Sequence, residues 1–197
     1  MIFENEIQKC LEVLRAGGTI LYPTDTIWGL GCDATNREAV DKIFKIKDRE
    51  GSKNLISLVS DEGMLNRFVK EVPAQAWELI EVSTTEENDE RQRPLTIIYD
   101  SGRGFAPNVV ADDGSVAVRL TRDEFCQRLI HKFGKPVVST SANKSGDPPP
   151  KNFSEISEAL KRTVDHVVAW RQHENSTSPP SSIIKLRGNG EVKIVRK

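Results

Sequence analysis

Residues 137–146 read VVSTSANKSG, and three prolines follow at 148–150. Two valines open the stretch and favour an extended, buried strand. Small hydroxyl residues, an asparagine and a glycine close it and favour a turn. A strand that ends this way places its loop where ligands bind in open α/β sheets, beyond the strand end. The same residues also suit an Asx- or ST-type turn that satisfies its own backbone. Both readings stay open on this stretch alone.

Outward from it, helical and extended patterns alternate. Residues 4–16 place Ile7, Leu11 and Leu14 at helical spacing with Cys10 and Val13 beside them, and Gly17-Gly18 ends the run. TILY (19–22) reads as a short buried strand and PTDTIWGLGCDA (23–34) as a glycine-rich polar segment around Trp28. Thr35 and Glu38 have capping-box spacing and open a helix with Val40, Ile43, Phe44 and Lys47 on one face. LISLV (55–59) is a strand. Two short helices fill 62–83, the second opened by Pro73, and the acidic run TTEENDE (84–90) reads as an exposed loop.

PLTIIY (94–99) and SVAVRL (115–120) are strands, 123–133 a helix, and PVVST (136–140) the strand of the opening stretch. A helix over 154–163 starts at a Ser154 cap. HVVAW (166–170), SSIIKL (181–186) and VKIV (192–195) are strands, the last two forming a hairpin across RGNG. The order predicts one α/β domain over 1–197, built on a twisted mixed sheet flanked by helices.

Composition narrows the chemistry. The chain has 197 residues, a net charge of −1, 37% hydrophobic and 29% charged residues, which fits a water-soluble globular protein. No apolar run approaches the roughly 20 residues of a membrane-spanning helix, and the N-terminus lacks the pattern of a signal peptide. Three cysteines without a CxxC pair argue against a disulfide framework and for a reducing cytoplasm. There is no GxxxxGK[ST] loop, no GxGxxG fingerprint and no HExxH, so the common phosphate loops and zinc motifs are excluded. His131, His166 and His173 are scattered through different patterns, which leaves a metal centre or a Ser-His-Asp hydrolase unsupported.

Positive charge does cluster locally. Lys45, Lys47, Arg49 and Lys53 fall where a helix ends. They suit a solvated end that complements the helix dipole, or a clamp for phosphates. Arg119 follows the strand pattern SVAV, where it can form a structural salt bridge or hold a carboxylate or phosphate.

Together these blocks resemble a known family. GGTILYPTDTIWGLGCDA, KIFKIKDR followed by Lys53, SVAVRL, PVVSTSANKSG and SSIIKL…VKIVR stand in the order of the YrdC-like family, which comprises threonylcarbamoyl-AMP synthases and the related YciO proteins. The resemblance runs from about residue 4 to 196 and includes the Lys-x-Arg motif Lys47-Asp48-Arg49 and the Ser-x-Asn motif Ser141-Ala142-Asn143. It implies a twisted sheet around a large basic cavity. It implies a reaction in which L-threonine and bicarbonate form a carbamate that attacks the α-phosphorus of ATP, with Mg2+ carried by the ATP and no protein metal site.

Pyrophosphate leaves, and a downstream threonylcarbamoyl transferase complex passes the group to an adenosine beside the anticodon of tRNA. Family members are also described as binding double-stranded RNA, so a tRNA- or double-stranded-RNA-binding module is one alternative, and a YciO-like protein with a different nucleotide is another.

Carried over by residue, the resemblance gives Thr26, Arg119, Ser139 and Ser181 to threonine. It gives Arg49, Lys53, Ser115, Ser141, Asn143 and Arg196 to ATP, with Lys47 beside the phosphates, and makes Lys47, Arg49 and Arg119 the catalytic group. Four departures stand out. Gln92-Arg93 replaces a Pro-Gly pair before PLT, Asn54 replaces a proline after Lys53, Ser181-Ser182 replaces a serine-threonine pair, and Leu58 stands where some members have histidine. They fall more on the threonine side than on the ATP side. Ending at residue 197, the chain is expected to lack the C-terminal domain of longer members.

Overall fold

A computed structural model describes residues 2–48, 55–85, 93–174 and 179–197. Its described strands form one mixed sheet of nine: β1 (Ile20–Tyr22), β2 (Gly29–Gly31), β3 (Ile56–Val59), β4 (Leu95–Tyr99), β5 (Val116–Leu120), β6 (Val137–Ser141), β7 (His166–Val167), β8 (Ser182–Leu186) and β9 (Val192–Arg196). They lie in the order β7-β1-β2-β6-β3-β5-β4-β8-β9. The pairs β1–β7, β3–β5 and β4–β8 are parallel and the rest antiparallel. The stretch that opens the sequence reading is β6, between β2 and β3 near the centre of the sheet.

Helices α1 (Ile2–Arg15), α2 (Arg37–Ile46), α3 (Glu62–Phe68), α4 (Ala74–Thr85), α5 (Glu124–Phe133) and the short α6 (Glu158–Lys161) accompany it. Helix α1 buries Ile7, Cys10, Leu11 and Leu14, the expected stripe. It packs along α5, where Phe3 meets the Phe125 ring edge-on at 5.7 Å. A buried carboxylate within this core is satisfied: Glu6 Oε2 accepts from the backbone N–H of Ala169 at 2.8 Å and lies 2.9 Å from His166 Nε2. Helices α3 and α5 pack on β3.

Several local expectations are corrected. The cap of α2 is Asn36, whose side chain accepts from Ala39 N, because Thr35 turns back to Asp33 through both its N–H and its hydroxyl. The glycine-rich segment contains a strand, β2. Its glycines serve close approach rather than looping: a Cβ on Gly31 would stand 2.6 Å from the Tyr22 ring and 2.9 Å from the Val138 carbonyl.

The helix expected over 154–163 is broken. Asn152 caps a 3-10 turn (Phe153–Glu155) and Ser157 caps α6, so two competing caps divide one helical pattern. HVVAW pairs only through His166 and Val167, after which Trp170 leaves the sheet to meet Phe3 at 5.3 Å. The acidic loop lies largely outside the described residues.

The hairpin of β8 and β9 forms as expected, with a bulge where Arg196 pairs with Ile183 and Ile194 with Ile184. Among the described residues β9 pairs only with β8, and Val192, Ile194 and Val195 on it are exposed. No helix among the described residues is long and apolar enough to cross a membrane.

Candidate active site

Side chains alternate across a strand, so one face of β3, β4 and β5 presents Ile56, Ile98, Ala117 and Arg119 together. They floor a cavity of about 550 Å³. Its walls come from residues 26–29 at the start of β2, from Ser139, Thr140 and Ser141 on β6, from Pro180 and Ser181 just before β8, and from Ile183, Val195 and Arg196 on the β8–β9 hairpin. Trp28 forms part of the rim and is backed by Phe153 at 4.7 Å, over whose ring lies Lys161 Nζ at 4.3 Å. An apolar floor carrying a buried guanidinium is a low-dielectric site in which an anion is held strongly.

The predicted residues divide sharply. Thr26, Arg119, Ser139, Ser141, Ser181 and Arg196 converge on this one cavity, although they come from positions 26 to 196. Ser115 and Asn143 do not line it. Ser115 is buried just before β5, where Asp113 Oδ1 accepts both its N–H and its hydroxyl. Lys185 donates to the other oxygen of Asp113 at 2.7 Å, and together these donors hold the Asp113 carboxyl well below the usual range. Asn143 folds into the turn after β6, its amide donating to the carbonyls of Lys144 and Asp147. Arg49 and Lys53 lie outside the described residues.

Lys47, expected beside phosphates, is turned inward instead. Asp48 takes a left-handed conformation (φ 53°), a geometry that aspartate tolerates. Lys47 is buried, and its Nζ donates to the carbonyl oxygens of Ser141 at 2.7 Å and Asn143 at 2.8 Å. Its own carbonyl accepts from Ser145 N–H at 2.9 Å. A charged donor thus staples the end of α2 to the turn that carries the Ser-x-Asn motif.

The other cavity residues are held just as specifically. Arg119, only 3% exposed, pairs with Asp25 at 2.9 Å from Nη2 to Oδ1. The contact is ionic rather than an aligned hydrogen bond: Asp25 Oδ1 and Arg119 Nε are buried with no hydrogen-bond partner among the described residues. Arg196 donates through Nε and Nη2 to the Ser181 carbonyl at 3.0 and 2.8 Å. Burial, and then the neighbouring charges of Arg119 and Arg93, push the Arg196 guanidinium pKa down. The cavity therefore gathers like charge. Ser181 shares a 2.9 Å hydroxyl contact with Thr96, itself fully buried.

Under Ser139, the Tyr22 hydroxyl donates to the Val138 carbonyl at 3.1 Å. Burial raises its phenol pKa well above the ordinary value, while a hydrogen bond from Ser139 works the other way. Gly29 leaves the room for this, since a Cβ there would stand 3.2 Å from Ser139 Oγ.

Asp25, Tyr22 and Thr96 were not singled out from the sequence. Asp25 had a readable signal, as the acid of PTDT in a site otherwise made of cations and hydroxyls. Tyr22 and Thr96 had none, because each acts through a partner 85 or more positions away. Among the described residues no group of three or more His, Cys, Asp or Glu stands close enough to hold a metal ion.

The family model Sua5_yciO_yrdC, described as telomere recombination, matches residues 12–197. A protein of Stenotrophomonas maltophilia named threonylcarbamoyl-AMP synthase is 32% identical over 173 residues, covering 84% of this chain and 86% of its own. The crystal structure of P. abyssi Sua5 complexed with L-threonine superimposes with a TM-score of 0.75 at 26% identity, over 91% of this chain and 50% of that one. This chain thus spans about half of that Sua5 chain. The fold is shared with E. coli YciO, at a TM-score of 0.80 and 23% identity over 98% of this chain and 89% of that one. The chain belongs to the Sua5/YciO/YrdC family.

Proposed function

We propose that this chain is a threonylcarbamoyl-AMP synthase, the activity named for its curated relatives. The observation that carries the proposal is Arg119. It is a buried guanidinium in the cavity floor, short of acceptors, and flanked by hydroxyls from three separate segments. An amino-acid carboxylate supplies the missing acceptors, and Thr26, Ser139 and Ser181 surround its place. The nucleotide takes the Ser141 and Arg196 side, with Asn143, Arg49 and Lys53 contributing to the phosphates, whereas Ser115, buried against Asp113, supports β5 from outside the cavity.

The reaction asks for positioning and charge neutralisation rather than a protein nucleophile. The amine of L-threonine and bicarbonate give an N-carboxylate and water. A carboxylate oxygen attacks the α-phosphorus of ATP, the bond to the bridging oxygen breaks, and pyrophosphate leaves with its charge on the basic side chains. Magnesium enters as part of the ATP substrate, held by phosphates and water. The threonylcarbamoyl adenylate then serves a transferase complex that modifies an adenosine beside the anticodon of tRNA in the cytoplasm.

The test is product analysis after incubation with ATP, threonine and bicarbonate. Pyrophosphate release is expected to require both threonine and bicarbonate. Arg49→Ala is expected to lower it by roughly 10²-fold or more, the scale of losing one charge-stabilising group. Equal release in the absence of threonine overturns the proposal.

A further inference from the structure

We infer that Asp25 is a positioning residue, setting the orientation and the effective charge of Arg119 for the carboxylate of the amino-acid substrate. The inference rests on the function proposed above.

Asp25 stands in the turn between β1 and β2, and Thr24 builds that turn. Its hydroxyl donates to the Ile27 carbonyl at 2.7 Å and accepts from the Thr26 N–H at 3.1 Å. The folded turn sets Thr26 in the cavity wall and Asp25 against Arg119. Across from it, Thr121 just past β5 donates its hydroxyl to Asp25 Oδ2 at 3.3 Å. Asp25 thus joins the 23–28 turn to the strand that carries Arg119, through one carboxylate.

Its consequences for Arg119 are geometric and electrostatic. Among the described residues Asp25 is the carboxylate paired with this guanidinium. It fixes Nη2 and so selects one rotation of a planar fork whose binding is bidentate and angle-dependent. It also balances a cation that lines the same cavity as a second one, Arg196. Without that carboxylate the two guanidiniums repel, and Arg119 is free to turn from its floor position. Because Thr26 is the next residue, one displacement moves two groups on the threonine side and leaves the Lys47 staple on the other side untouched.

Steady-state kinetics with each substrate varied in turn, on wild type, Asp25→Ala and Asp25→Asn, tests this, with thermal unfolding measured on each protein. Asp25→Ala is expected to raise the threonine KM roughly tenfold or more, with the ATP KM within about twofold. Asp25→Asn keeps one oxygen for Nη2 and turns its NH2 to the Thr121 hydroxyl, which can accept, without the charge. It is expected to show a smaller rise in the same KM, and it carries the test if the alanine variant does not fold. An unchanged or lowered threonine KM, or equal rises in both KM values, overturns the inference. Wild type that releases pyrophosphate without regard to threonine overturns the functional reading, and this inference with it.

Discussion

Replacing Lys47 with methionine separates two roles that one lysine can play. The substitution keeps the length and most of the volume of the stem, so little cavity forms. It removes an ammonium that donates to two main-chain carbonyls at 2.7 and 2.8 Å. A hydrogen bond to a charged group contributes about 1.5–3 kcal/mol, and these two share a donor, so their sum is less than additive. The expected loss is about 3 kcal/mol. For a chain of this size 1 kcal/mol moves the midpoint by roughly 2–4 °C, which gives a fall of roughly 6–12 °C.

Thermal unfolding by circular dichroism at fixed protein concentration reads that number, and the ATP KM is measured beside it. The turn after β6 loses its anchor, so a higher ATP KM should accompany the lower midpoint. A variant that loses ATP affinity while melting within about 2 °C of wild type would refute the reasoning. It would show that Nζ leaves the carbonyls and serves the phosphates directly.

Gly31→Ala is expected to cost about 1–3 kcal/mol, because its new Cβ overlaps both the Tyr22 ring and a β6 carbonyl. The urea midpoint should fall with an unchanged slope. The pH dependence of stability tests Asp113. Its folded pKa lies below its ordinary 3.8, chiefly through hydrogen bonds from Lys185 and Ser115, so its contribution is present above that value and is lost as pH falls through and below it. Asp113→Asn should flatten that loss in denaturation series between about pH 5 and pH 2, with a small amplitude because the carboxylate is half exposed. Finally, Cys10, Cys32 and Cys126 are buried, and burial pushes the Cys10 thiol up to about 12 and raises the other two as well. All three should resist Ellman's reagent at about pH 8 in the native protein and react after unfolding.

The parts readable from sequence share a physical cause. Helices α1 and α5 bury stripes with a helical period, and β5 and β6 each carry two buried valines, so local pattern and tertiary burial agree there. Strand β2 was hidden because Gly-Leu-Gly has turn composition. It is a strand because it pairs with β1 and β6, and Gly31 is glycine there because Tyr22 and Val138 leave no space for a side chain. The helix over 154–163 failed where Asn152 and Ser157 both offered caps and divided it.

At the site, no local rule could choose between salt bridge and ligand for Arg119, and the structure shows the first reading is true without displacing the second: the residue pairs with Asp25 and still lines the cavity. The serines were chosen through family motifs, and the contacts that hold them are long-range pairings invisible to a local reading. Lys47 carries the right motif, yet its direction is set by the Ser141 and Asn143 carbonyls, 94 and 96 positions away.

Strand β9 pairs along one edge, shows three apolar side chains to solvent and carries Arg196 at its end. An edge strand of this kind opens locally at far less cost than the whole domain unfolds. Each opening withdraws a guanidinium from the cavity, so fraying of the sheet margin and vacancy of that part of the site are a single equilibrium. Any ligand that engages Arg196 draws the strand shut by mass action. Slowed amide exchange along residues 192–196 would then register the ligand's arrival, with the edge of the sheet acting as its reporter.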